Sequence, residues 1–228
     1  MGNEVIAGSG EAWADRAAAR SPSVQKSRDR STKRAKMLVD GARRLILVKG
    51  VSFTTQELAT EAGVTLKTFY RYFASKDQLL LAVFENILTE QILRIEAAAR
   101  ELPDPISRIR FYVTSAMGSF RESSRADDES WAQFITAEHW RLYQIFPEEM
   151  SQADQLYADL IEAELRQATE EGLLRATDPH QHSWFVMQLI MAVFHHYAFG
   201  TRPTHIEETA EQLWEFCLAA FGGNRGDV

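Results

Sequence analysis

The sequence predicts an all-α protein of about nine helices, and three observations carry that expectation. Apolar residues recur at steps of three and four along most of the chain. Residues suited to starting helices stand at the heads of those stretches, and no alternating segment bounded by turn residues competes as a strand. Breaks are expected at Leu102-Pro103-Asp104-Pro105, around Asp127-Asp128, at Pro147, at Thr177-Asp178-Pro179 and from Gly200 to Pro203. A chain of 228 residues is long enough for one or two domains with a sizeable core.

The first 25 or so residues are rich in Ala, Gly and Ser and lack sustained periodicity, so they read as a disordered tail. From Gln25 the tail turns basic, with Lys26, Arg28, Arg30, Lys33 and Arg34, and runs into a first helix. That helix carries Ala35, Leu38, Ala42 and Leu45 on one stripe, widened by Val39 and Ile46, and Gly50 is placed to end it. The expected division is a tail over 1–28, a small helical domain over 29–76, a larger helical domain over 77–222 and a flexible C-terminus over 223–228.

Residues 53–79 hold three helix starts in quick succession. Thr54 with Glu57 forms a capping box, with Phe53 and Leu58 as the accompanying hydrophobic pair. Thr65 repeats the N-cap with Val64 and Phe69 flanking it, and Ser75 with Gln78 offers another box. Gly63, in Ala62-Gly63-Val64, supplies the positive φ that a tight turn between two short helices requires. Small Ala59 lets the helices cross closely, and Leu58, Ala62, Val64, Phe69 and Tyr72 fall where a helix-turn-helix needs apolar contacts. Such a unit offers the start of its second helix, Leu66 to Phe73, to the major groove. Lys67 and Thr68 lie in that first turn, and Tyr70 and Arg71 follow. Tyr72 can either touch the sugar-phosphate backbone or close the small core.

The pattern Thr55-x3-Ala59-x2-Ala62-Gly63-Val64-Thr65 followed by Phe69-Tyr70-x-Tyr72-Phe73-x-Ser75-Lys76-x2-Leu79 resembles the DNA-binding domain of the TetR family of bacterial regulators. The resemblance covers about fifty residues, from near Arg30 to the start of the fourth helix. It implies an all-α homodimer whose N-terminal helix-turn-helix binds a palindromic double-stranded operator and whose divergent C-terminal domain binds a small effector. By the same resemblance Thr54 and Thr55 would meet phosphate, Thr65, Lys67, Thr68, Tyr70, Arg71 and Tyr72 would meet DNA from the third helix, and Lys76 would clamp a flanking phosphate. At Leu66-Lys67 the sequence departs from the family's frequent basic-then-small pair, so Lys67 is open to a base or a phosphate. The basic run Lys26 to Arg34 is either a DNA-contacting arm or a solvated tail.

Charge follows this division. The formal total of −7 would argue against a nucleic-acid partner. Residues 1–80, however, hold 14 Lys and Arg against 8 Asp and Glu, a net of +6, and residues 81–228 hold 11 against 24, a net of −13. All six lysines lie in the first part.

The acidic part contains 18 of the 24 aromatic residues. Ile106, Ile109, Val113, Ala116 and Phe120 share one face, as do Trp184, Met187, Met191, Phe194 and Ala198. The opposite side of the Trp184 helix is also apolar, with Phe185, Val186, Leu189, Ile190, Val193 and Tyr197. A helix apolar all round must be covered on both sides, and the resemblance supplies the second cover: the last two helices, about Pro179 to Phe199 and Thr204 to Phe221, would pair with a second subunit. Interface candidates are Phe185, Leu189, Val193, His196, Leu213, Cys217 and Ala220.

Effector-pocket candidates are Phe111, Tyr112, Met117, Phe120, Trp131, Phe134, Trp140, Tyr143, Phe146, Trp184, Met187 and Met191. Each taken singly suits an ordinary core, and together they suit a cavity for a mainly apolar or aromatic ligand. An anionic ligand would depend on arginines such as Arg108, Arg110, Arg121 or Arg141.

The histidine spacings do not put two ligands on one helical face, and Cys217 has no cationic neighbours in sequence, so neither a metal nor a redox thiol is expected. His195 or His196 could instead bond a ligand or the partner subunit. No cofactor is expected, and without a phosphate loop, nucleophile elbow or helical His/Glu metal pair an enzyme is not expected either. One cysteine, no secretory core and no apolar run of membrane-spanning length suggest a cytoplasmic protein without a membrane partner. The functional expectation is a ligand-responsive transcriptional regulator, a repressor released from its operator by the effector. The alternative is a DNA-tethered adaptor or activator that recruits a protein without a small-molecule ligand.

Overall fold

The computed structural model describes residues 21–120, 126–175, 178–199 and 205–223, except for the side chains of Ser119 and residues 126–129. Most of the expected tail, the break at Gly200 to Pro203 and the C-terminus from Asn224 lie outside the described residues. Among those described there are nine α-helices, two short 3-10 helices and no strand.

Helix α1 runs over Pro22–Lys49. It begins inside the stretch expected as tail, because Pro22 at its first position presets φ and the Lys, Arg and Gln residues that follow are good helix formers. The basic run Lys26 to Arg34 is therefore helical and exposed. Leu38, Val39, Ala42 and Ile46 are buried, and the helix ends at Gly50 with φ 59°. Gly41 is buried as well: a Cβ there would lie 3.3 Å from Cβ of Ala62 and 3.4 Å from Cδ1 of Leu58. The bare backbone at Gly41 is thus where α1 receives the next helix.

A 3-10 turn, Gly50–Ser52, leads to α2, Thr55–Glu61. The capping box at its head is complete: Thr54 Oγ1 accepts from the Glu57 N–H at 3.1 Å, and the Glu57 carboxylate accepts from the Thr54 N–H at 2.8 Å. The Thr54→Ala variant should lose about 1 kcal/mol of stability in urea unfolding, because one orphan donor then returns to water. A loss under ~0.3 kcal/mol would mean that the box contributes little here. After Gly63, with φ 66°, α3 covers Leu66–Tyr72, capped by Thr65 through the Thr68 N–H. Helix α4, Lys76–Ala99, is capped by Ser75. The expected second box is shifted by one residue, since the Gln78 side chain reaches the N–H of Ala74 at 2.7 Å.

Five helices complete the fold: α5, Pro105–Ser115; α6, Ala126–Ile145; α7, Pro147–Glu170; α8, Pro179–Ala198; and α9, Ile206–Ala220. Asp127 and Asp128 do not break the chain but lie within α6. The interruption falls earlier, where a 3-10 turn over Ala116–Phe120 follows α5. Pro105, Pro147 and Pro179 each begin a helix.

Helix α7 packs against α4, α5, α6 and α8. Arg108 of α5 meets Glu164 of α7 at 2.8 Å with both side chains only 15% exposed, and the Tyr157 hydroxyl donates to the Tyr112 carbonyl at 2.6 Å. Leu79, Leu80, Val83 and Phe84 of α4 are buried, so α4 belongs both to the helix-turn-helix and to the larger domain. Among the described residues no helix is long and apolar enough to cross a membrane.

Candidate DNA-binding face and internal cavity

Phe69 is fully buried and fixes the rotation of α3. Lys67, Tyr70 and Arg71, at spacings of three and four, consequently share its outer face, all exposed, with Tyr70 at 53%. Thr65 is exposed and Thr68 half-buried at the head of the same helix. Their hydroxyls lie 3.0 Å apart, which leaves bonding capacity for a phosphate oxygen. Thr54 is exposed and Thr55 half-buried at the head of α2. The Lys49 ammonium, 2.6 Å from Glu57, and the capping bonds of Thr54 hold the Glu57 carboxyl down at about 2.

Two residues of the expected set have partners within the chain. Tyr72 is half-buried, and its hydroxyl meets Ser31 and Arg34 of α1, which with Arg71 draw the phenol pKa down. Arg71 lies 5.1 Å above the Tyr72 ring. Through these contacts Tyr72 joins α3 to the exposed, basic side of α1. Lys76, implied as a phosphate clamp, donates to the carbonyl of Phe53 at 2.6 Å and to that of Val51. Its ammonium also sits 4.5 Å over the Phe53 ring, and burial pushes its pKa down. Two of its three donors brace the turn before α2, a local role the motif does not disclose.

Beneath α4 lies a cavity of about 110 Å³. Its apolar wall comes from Ile87 and Ile95 of α4, Trp131, Ala132 and Ile135 of α6, Ala153 and Tyr157 of α7, and Met187, Ile190, Met191 and Phe194 of α8, with Arg43, Glu90 and Arg94 as charged lining. Of the twelve expected pocket residues, Trp131, Met187 and Met191 line it. Phe111, Tyr112, Met117, Phe120, Phe134, Tyr143 and Phe146 pack in or against the core instead; the Phe120 ring, for instance, lies 5.0 Å from that of Phe194 at an interplanar angle of 58°. Trp140 and Trp184 are 60% and 50% exposed. Trp184 lies at the edge of the stripe that it was grouped with, and the helix turns it outward beside Phe185.

Of the arginines singled out for an anion, none of the three that are described lines this cavity. Arg108 pairs with Glu164, Arg110 with Glu211, and Arg141 with Asp77 and Glu138, while Arg121 lies outside the described residues. Sequence reasoning overlooked α4 as a wall, although its aliphatic residues at 87, 88, 92 and 95 exceed what the helix-turn-helix uses.

On the far side, Phe185 and His196 are exposed and Leu189 and Val193 half-buried, as an uncovered face of α8 requires. Leu213 and Cys217 are not on such a face. They are 8% and 1% exposed because their stripe of α9 packs on α5 within the same chain, and burial pushes the Cys217 thiol up to about 11. The outer stripe of α9 holds Phe216 and Ala220, with Phe216 63% exposed.

Residues 38–83 match the family model described as "Bacterial regulatory proteins, tetR family". Over 47 residues, 21% of the chain and 25% of the relative, the sequence is 49% identical to the uncharacterized HTH-type transcriptional regulator YvaF of Bacillus subtilis (strain 168). It is 27% identical to the nucleoid occlusion factor SlmA of Marinomonas sp. (strain MWYL1) over 79% of the chain and 91% of that protein. The chain therefore matches only a quarter of YvaF's length. Among solved structures it is similar to the transcriptional regulator FadR of Bacillus subtilis in complex with stearoyl-CoA, with a TM-score of 0.65, 16% identity, and coverage of 81% of this chain and 97% of that one.

Proposed function

Because the chain belongs to the tetR family of bacterial regulatory proteins, we propose that it is a homodimeric, ligand-responsive transcriptional repressor, released from a two-fold operator by a small, mainly apolar effector. The exposed Lys67, Tyr70 and Arg71 are its groove-reading face, and the helical basic run Lys26 to Arg34 of α1 supplies further attraction for phosphate. The observation that carries the ligand-responsive part is the cavity of about 110 Å³ against α4. Helix α4 places Ile87 and Ile95 on the cavity, and its first residue, Lys76, holds the carbonyls of Val51 and Phe53 before α2. A ligand that shifts α4 thus moves the helix-turn-helix, and half-site spacing makes operator affinity sensitive to that movement. Tenfold weaker DNA binding asks for only about 1.4 kcal/mol of differential ligand affinity between the two forms.

The FadR neighbour is described in complex with an acyl-CoA, which agrees with an apolar effector. A DNA-tethered adaptor that recruits a protein is the second reading, kept in view by a relative named as a nucleoid occlusion factor and not as a transcriptional regulator. The cavity separates the two. Organic extract of the source cells should release the wild-type protein from DNA upstream of its own gene, while the Met191→Trp variant, whose indole fills the space, should stay bound. An equal response of both proteins, or of neither, would sink the ligand-responsive reading.

A further inference from the structure

The charged side chains that line the cavity, Arg43, Glu90 and Arg94, all reach solvent and so mark its mouth, and Arg43 belongs to the DNA-binding domain. Arg43, on α1, lines the cavity together with Glu90 and Arg94 of α4. Its Nη1 donates to Oδ1 of Asn86 at 2.9 Å and to both carboxylate oxygens of Glu90, at 2.9 and 2.8 Å. The guanidinium also stands 5.4 Å from the centre of the Trp131 ring. Arg94, one turn beyond Glu90, is exposed and bonds the Gln91 side chain at 2.5 Å. The mouth therefore sets two cations against one carboxylate, while the interior behind it offers Ile87, Ile135, Met187 and Ile190.

We propose that this cavity takes a small amphipathic organic anion, with a short aliphatic or single-ring body among the apolar side chains and a carboxylate at the mouth, bonded to Arg43 in place of Glu90. This rests on the ligand-binding reading above and specifies its ligand class. The free space is close to the ~150 Å³ that holds a benzene molecule in a protein core, so the body is of that order. An organic cation would have to dislodge Arg43 from Glu90 and remain between two arginines. A neutral ligand leaves the ion pair intact and gains nothing from it.

Exchange of one carboxylate for another on Arg43 preserves a charge-assisted bond, the excess positive charge left by Arg94 favours the arriving anion over a neutral ligand of the same shape, and apolar burial supplies the remainder of the affinity. The exchange also has a mechanical consequence. The Arg43–Glu90 pair ties α1 to α4, and the arriving head group takes over the α1 end of that tie. The effector is thereby read by a side chain of the DNA-binding domain itself, at the meeting of α1, α4 and α6.

The test compares hexanoate and benzoate with the neutral hexanamide and benzamide and with hexylamine, by calorimetry and tryptophan fluorescence, on the full chain and its Arg43→Gln, Glu90→Gln and Arg94→Gln variants. Wild type should bind a carboxylate at least tenfold more tightly than the matching amide. That ratio should fall below threefold in Arg43→Gln, fall partly in Arg94→Gln and rise in Glu90→Gln, where the competing carboxylate is gone. If Arg43→Gln does not fold, the opposite movements in the other two variants decide the matter. Amide or amine binding equal to carboxylate binding overturns the anion proposal and leaves the ligand-binding reading standing. Absence of binding by every probe, with wild type also unresponsive to cell extract, overturns both.

Discussion

The Lys67→Ala, Tyr70→Ala double variant should lose specific operator binding by two orders of magnitude or more, with its melting temperature unchanged. Both side chains are exposed on the outer face of α3, and Phe69, which holds that helix in place, is untouched. A groove contact of this kind carries about 1–3 kcal/mol, so two of them account for a loss of roughly that size. The single variants separate the roles. If Lys67 meets a phosphate, its removal weakens binding to every DNA alike and lowers the slope of log affinity against log salt by about one. If it reads a base, discrimination between operator and random DNA falls instead. Retained specific binding by the double variant would remove α3 as the reading helix. Lys76 serves as a contrast: its ammonium is held by the Val51 and Phe53 carbonyls, so Lys76→Ala should lower the melting temperature as well as the affinity.

The helix-turn-helix was legible because its determinants are local. The Thr54–Glu57 box, the Thr65 cap and the positive φ of Gly63 each depend on residues within a few positions, and short-range chemistry survives in a linear reading. The start of α1 was misplaced because a run of Lys and Arg satisfies two descriptions, a solvated tail and a helix of good formers, and the decisive signal was a single proline. Gly41 was missed because its value lies in Ala62, twenty-one residues away. The cavity was the least legible part. Aromatic content is the sequence signal for such a site, yet most of the wall is aliphatic and much of it belongs to α4, whose apolar positions also serve the core of the DNA-binding unit.

The last two helices show the same limit, and they yield the second large expected effect. Helix α9 carries apolar residues on two sides, and periodicity alone does not say which side meets the chain's own core. The sequence points to the stripe of Leu213 and Cys217 for the partner, but that stripe is buried on α5 and Phe216, on the other side, is left exposed. Trp184 and Phe185 of α8 and Phe216 of α9 are large apolar side chains, each about half exposed or more, and a partner that covered them would remove that surface from water. A second copy, placed by two-fold symmetry, would present the same residues to it. Phe185→Glu combined with Phe216→Glu should therefore give a folded monomer in sedimentation at micromolar concentration. Operator affinity should fall at least a hundredfold, because the two half-sites are then no longer bound as one unit. Cys217→Asp should behave differently, since a carboxylate forced into that buried site destabilises the protomer itself and lowers the melting temperature before any change of oligomeric state. If the double phenylalanine variant remains a dimer while Cys217→Asp dissociates without loss of stability, the interface lies on the inner stripe after all, and the packing of α9 on α5 cannot be its arrangement in solution.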